Sequence, residues 1–189
     1  MNTLVKIGLF AVGGYAIYKI ATLVGNVTSF VNNLGFAIKA GDKPIRIGGS
    51  LLSPTINLNL DCEFTNPTNV SLEIKKPVIK ILYKGTILAQ SPIPKDTDII
   101  KIDPKSVSLA KDFKFTINIA DPSVIGALID MGKVLGTGIA VNAGDSLITK
   151  VSSVVSVLSS NLDNLLPLFD ISCLIYVGDK TFTYNTKIV

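Results

Sequence analysis

The feature that most constrains this chain is the run Ile56-Asn57-Leu58-Asn59-Leu60-Asp61-Cys62-Glu63-Phe64, in which apolar and polar residues alternate without a break. Period two sends successive side chains to opposite faces of an extended backbone, so the run predicts a strand with one buried face. Phe113, Phe115, Ile117 and Ile119 alternate with Asp112, Lys114, Thr116 and Asn118 in the same way. Asn66-Pro67-Thr68-Asn69 predicts a turn. Leu72 and Ile74 begin a further strand, continued by Ile79, Ile81 and Tyr83 on one face. Lys84-Gly85 predicts a hairpin turn, and Ser91-Pro92-Ile93-Pro94 ends the pairing that follows. Ile171, Cys173, Ile175 and Val177, a Gly178-Asp179 turn, then Phe182 and Tyr184 predict a terminal hairpin. Many short alternating strands with Pro/Gly turns indicate a mainly β chain, an antiparallel β-sandwich. Its expected core contains Ile56, Leu58, Leu60, Phe64, Phe113, Phe115, Ile117, Ile175 and Val177.

A helical insertion over residues 121–160 precedes the last two strands. Asp121-Pro122 has the form of a helix start, with Asp as N-cap and Pro at the first helical position. Asp145 is the expected cap of a second helix. Seven apolar residues here, Val124, Leu128, Ile129, Leu135, Val151, Val155 and Leu158, exceed what one side of a small sandwich covers. They are expected to form an exposed interaction surface, covered by lipid, a neighbouring copy or another subunit.

The N-terminal region reads differently. From Leu4 to Val31 only Lys6 and Lys19 are charged. As a helix this stretch would run roughly 40 Å, longer than the hydrocarbon core of a bilayer. A membrane-embedded helix over about Val5 to Leu23 is expected, anchored by Leu4, Val5, Ile7, Leu9, Phe10, Val12, Ile17, Ile20 and Leu23. Its run is too long for a signal peptide, and no clear A-x-A site follows. Residues 24–38 would continue it as a polar stalk, ended by Gly41 and Pro44. The division is thus residues 1–40, transmembrane helix and stalk, and residues 41–189, the β domain. Lys39, Lys43 and Arg46 after the span outnumber Lys6 before it, which points to a cytoplasmic or interior domain.

Chemistry is sparse. The 189 residues include no His and no Trp, so the usual general base and commonest metal ligand are missing. Cys62 and Cys173 are too few for a structural zinc site, and either a buried free pair or a single bridge fits them. Lys75, Lys76, Lys80 and Lys84 form the densest basic cluster, either a polar strand face or a contact for lipid headgroups. Without interleaved aromatics, and with a net charge of only +4, no nucleic-acid partner is expected. Asp96, Asp98 and Asp103 lack the Gly spacing of a calcium loop, and Gly132, Gly136 and Gly138 spell no phosphate-binding loop. The serines have no G-x-S-x-G elbow. No catalytic, metal or cofactor residue is therefore assigned, and an enzyme is not expected.

The stretch Ile56–Leu60, then Phe64-Thr65-Asn66-Pro67-Thr68-Asn69-Val70-Ser71-Leu72-Glu73-Ile74, resembles the late-embryogenesis-abundant type 2 (WHy-like) domain. There an alternating strand runs into an Asn-Pro turn, a second strand and a hairpin like Tyr83-Lys84-Gly85-Thr86. The resemblance covers about residues 45–189. It implies a fibronectin-III-like sandwich, often behind a membrane helix, with a stress-protective or structural accessory role and no catalytic residues. The long apolar connection at 121–167 departs from that pattern. Anchored domains of this kind also occur in bacterial and phage-like gene sets. The leading expectation is a non-enzymatic, membrane-anchored structural or interaction protein, such as a component of a lipid-containing virion. Its partners would be the bilayer and another protein or a second copy. The alternative is a stress-protective or lipid-binding protein.

Overall fold

A computed structural model describes residues 34–188, apart from 51, 70, 137, 138, 140, 143, 178 and 179. The anchor residues Leu4 through Leu23 lie outside the described residues. Among the described residues no helix is long and apolar enough to cross a membrane.

The alternating run becomes β2 (Ser53–Asn66), whose inward residues Ile56, Leu58, Leu60, Cys62 and Phe64 are all buried. It is the middle strand of an antiparallel sheet, between β1 (Gly35–Ser50) and β7 (Ser106–Asn118). A second antiparallel sheet has the order β5 (Thr86–Gln90), β4 (Val78–Tyr83), β8 (Asp170–Val177), β9 (Lys180–Lys187). A two-stranded ribbon of β3 (Leu72–Lys75) and β6 (Ile99–Ile102) completes the β-structure. The inner faces of the two larger sheets share one core. Ile56, Leu58, Leu60, Phe64, Phe113, Phe115, Ile117 and Ile175 all lie in it, as their periodicity predicts, together with Ile79, Ile81 and Ile171.

The insertion forms α1 (Pro122–Val134), α2 (Leu147–Ser159) and a 3₁₀ helix (Leu162–Leu168) before the last two strands. Asp121 caps α1 as expected, its carboxylate accepting from the Ser123 N–H at 2.8 Å. The cap of α2 is Ser146, not Asp145; the Ser146 hydroxyl accepts from the Thr149 N–H, while Asp145 accepts from the Asn142 N–H. The turn at Lys84-Gly85 has positive φ at both residues, 45° and 84°, the geometry that matches the twist of a two-residue hairpin.

The N-terminal boundary needs correction. Residues 35–40 are not the end of a stalk helix but the first half of β1, with Ile38 fully buried. The break at Gly41 to Pro44 is real, yet it is a bulge within one strand. Pairing passes from Ala40↔Leu60 to Ile45↔Leu58, leaving Gly41, Asp42, Lys43 and Pro44 opposite Asn59. Proline lacks the N–H that a ladder position requires, so it suits the bulge.

Asn66 explains why a polar residue ends β2 facing inward. It is fully buried. Its amide donates to the Ile102 and Asp103 carbonyls at 3.3 and 2.9 Å, and its Oδ1 accepts from the Thr68 N–H and hydroxyl at 3.0 and 2.7 Å. One side chain thus shapes the Asn66-Pro67 turn and ties it to the far end of β6.

Candidate functional site

The seven residues expected to form an exposed interaction surface do not form one. Val124, Leu128, Val151 and Leu158 are buried in the common core, and Ile129, Leu135 and Val155 pack against it, partly buried. The helices fold back and close the sandwich instead of standing away from it: α1 packs on α2 and β5, and α2 on β1 and the 3₁₀ helix. The apolar stripes of the two helices meet one another and the sandwich, so the area they bring is covered within the domain.

The lysine cluster is likewise taken apart. Lys75 pairs with Asp96 at 2.6 Å, Lys76 lies 4.6 Å over the Phe113 ring, and Lys84 pairs with Asp130 at 2.7 Å. The Tyr83 hydroxyl also donates to Asp130, at 2.8 Å, so this trio clamps the β4–β5 hairpin to α1. The Lys84 ammonium, then the Tyr83 hydroxyl, hold the Asp130 carboxyl below its ordinary range. Burial first, and the Asp130 hydrogen bond second, raise the Tyr83 hydroxyl. Cys62 and Cys173 are free and buried. Burial pushes the Cys173 thiol up to about 12 and raises Cys62 as well, with a further contribution from Cys173. Neither is a thiolate nucleophile at neutral pH. Among the described residues no group of three or more His, Cys, Asp or Glu is placed to hold a metal.

The built feature is on the outer face of the β1–β2–β7 sheet. Both neighbours of β2 are bulged at adjacent outward positions. On one side Gly41 to Pro44 face Asn59. On the other, pairing passes from Leu60↔Phe113 to Cys62↔Ala110, leaving Lys111 and Asp112 opposite Asp61, whose carboxylate accepts the Asp112 N–H at 3.1 Å. Each bulge holds one non-glycine residue in the left-handed region, Lys43 at φ 47° and Asp112 at φ 65°. Such a conformation costs about 1–2 kcal/mol per residue, and strain of this kind is concentrated at sites with a task.

The bulges enclose a concavity of about 340 Å³ whose lining includes Asp42, Lys43, Arg46, Asn59, Asp112 and Lys114. Two glycines of β1 make room for the amides of β2. A Cβ at Gly41 would meet Asn59 O at 3.0 Å and Nδ2 at 3.1 Å, and one at Gly48 would meet Asn57 Nδ2 at 2.4 Å. The Asn59 amide is oriented by its donation to the Asp42 carbonyl at 3.2 Å. Its Oδ1 is then buried with no hydrogen-bond partner among the described residues. An unmatched buried acceptor costs about 1–3 kcal/mol. Lys43, Arg46 and Lys114 make no ion pair among the described residues, in contrast with Lys39, Lys75, Lys84 and Lys187. The sequence pattern marks none of these residues as a site; Lys43 and Arg46 enter it only as charges that set topology. The signal available was Gly41-Asp42-Lys43-Pro44, taken there as the end of a helix.

No family model matches the chain, and no curated protein matches it. A solved structure of a protein from Archaeoglobus fulgidus aligns at 12% identity over 82% of this chain and 96% of its own length, with a TM-score of 0.35. A likeness at that level says nothing of shared architecture or activity.

Proposed function

We propose that this chain is a non-enzymatic, membrane-anchored structural or interaction protein. In this reading a fibronectin-III-like β-sandwich is tethered through Leu4 to Leu23 and presents its bulged sheet face to what it binds. The observation that carries the interaction role is the pair of bulges flanking Asn59, two strained segments that shape a polar concavity the core does not need. The tether rests on the sequence alone, on the long run between Leu4 and Val31 with only two charges. The domain would lie on the cytoplasmic or interior side, with the bilayer and a protein or second copy as partners. A membrane-bearing assembly, such as a lipid-containing virion, is a setting that fits such a module.

Carbonate extraction of membranes tests the tether. The full chain should stay in the pellet, and a form lacking residues 1–33 should be released. Equal release of both forms would refute the anchor. Purification of the full chain with its native partners tests the assembly role, which would fail if the chain is recovered alone and monomeric.

A further inference from the structure

We propose that the bulged concavity binds a small polyhydroxylated anion, a sugar acid or a sugar phosphate. The inference rests on the reading above only in taking this face as the functional one, and it does not need the anchor. Three cations, Lys43, Arg46 and Lys114, surround the concavity without an ion pair among the described residues, so an anionic group has its partners waiting. A bare inorganic anion would leave the remaining polar groups unmatched. The Asn59 Oδ1 and the carboxylates of Asp42 and Asp112 are all acceptors. They require donors, and the hydroxyls of a sugar supply several at once. The two carboxylates also disfavour a polyanion, which would meet repulsion as well as attraction.

Size and polarity agree. A concavity of about 340 Å³ lies at the small end of ligand sites. Its two apolar lining residues, Leu58 and Phe115, are inward and almost fully buried, so an acyl chain would find no apolar surface. The Asn59 Oδ1 is covered in the present arrangement. Lys43, Arg46 and Lys114 are exposed on the same face, and a ligand hydroxyl would reach this oxygen after a local side-chain movement. The hydroxyl then supplies the hydrogen bond that this oxygen lacks.

Calorimetric titration of the full chain in non-ionic detergent tests this, with four probes: glucuronate, glucose 6-phosphate, glucose and inorganic phosphate. One or both of the first two should bind saturably at one site, and whichever binds identifies the anionic group. Glucose and inorganic phosphate should bind at least about tenfold more weakly. Arg46→Met and Lys114→Met should each weaken the sugar anion by about tenfold or more, while Lys133→Met on α1 leaves it unchanged. Gly41→Ala should also weaken it, by pressing on the Asn59 amide. The proposal is overturned if neither sugar anion binds, if inorganic phosphate binds as tightly as glucose 6-phosphate, or if Arg46→Met and Lys114→Met change nothing. Loss of membrane anchoring with saturable binding intact would refute the tether alone, and the reverse would refute this site alone.

Discussion

Asn66 offers a test in which two substitutions should change places with pH. In Asn66→Ala the acceptor for the Thr68 N–H is removed and so is the donor to two carbonyls. Those carbonyls keep other donors, the Ser71 hydroxyl on Ile102 O at 3.5 Å and the Ser106 hydroxyl on Asp103 O at 2.7 Å. The loss is therefore dominated by one backbone N–H and a small void, about 2–3 kcal/mol at any pH. Asn66→Asp keeps the acceptor but turns a second oxygen towards the two carbonyls. One oxygen of an ionised carboxylate there would keep the Thr68 donors, but the other would be buried against the Ile102 and Asp103 carbonyl oxygens, so the folded state holds it protonated. Holding a proton costs about 1.4 kcal/mol for each pH unit above an ordinary carboxyl value near 4, hence about 4 kcal/mol at pH 7. The folded value is raised, so the variant is fully stable below the unfolded value and loses stability as pH rises. Urea unfolding midpoints at pH 7 and pH 4 provide the assay. Asn66→Asp should be the weaker variant at pH 7 and the stronger at pH 4. Parallel behaviour of the two variants across that range would show that the Asn66 amide is not held between those carbonyls.

Two further outcomes follow from burial and charge. Phe115→Ala should cost about 3–5 kcal/mol in urea unfolding, and Lys114→Ala within about 0.5 kcal/mol of nothing, because the first side chain is 3% exposed and the second is outward; similar losses at both would refute the register. Asp130→Asn should lower the melting temperature at pH 7, and the gap from the natural chain should close as pH falls through the depressed Asp130 value, since a lowered carboxyl stabilises only while ionised; a gap independent of pH would mean the Lys84 pair contributes nothing.

How far the fold could be read from the sequence follows from how local each signal is. The β2 pattern, the Lys84-Gly85 hairpin and the Asp121 cap depend on neighbouring residues only, and all three appear where expected. The β1 strand did not, because Gly41 and Pro44 are equally good at ending a helix and at bulging a strand. Long-range pairing with β2 decides between them. The insertion failed for a related reason. Its apolar stripes at Val124, Leu128, Val151 and Leu158 were read correctly as helical faces, but what each face meets is a property of the closed sandwich.

The concavity shows the same limit at finer scale. Along β7, Val107, Leu109, Phe113 and Phe115 occupy one parity of the sequence, so a straight strand would bury all four. Instead Phe113 and Phe115 are buried, while Val107 and Leu109 are 59% and 44% exposed. The extra residue at Lys111-Asp112 flips the faces between them. Two large apolar side chains are left in water and two residues are held at positive φ, while Asn59 keeps an unmatched acceptor between them. Removing one residue from the Lys111-Asp112 bulge would restore one buried face. Beside the second bulge on β1, the two positive-φ residues and the unmatched Asn59 acceptor lie around one small concavity, and the ligand proposed above would pair its cations and fill that acceptor.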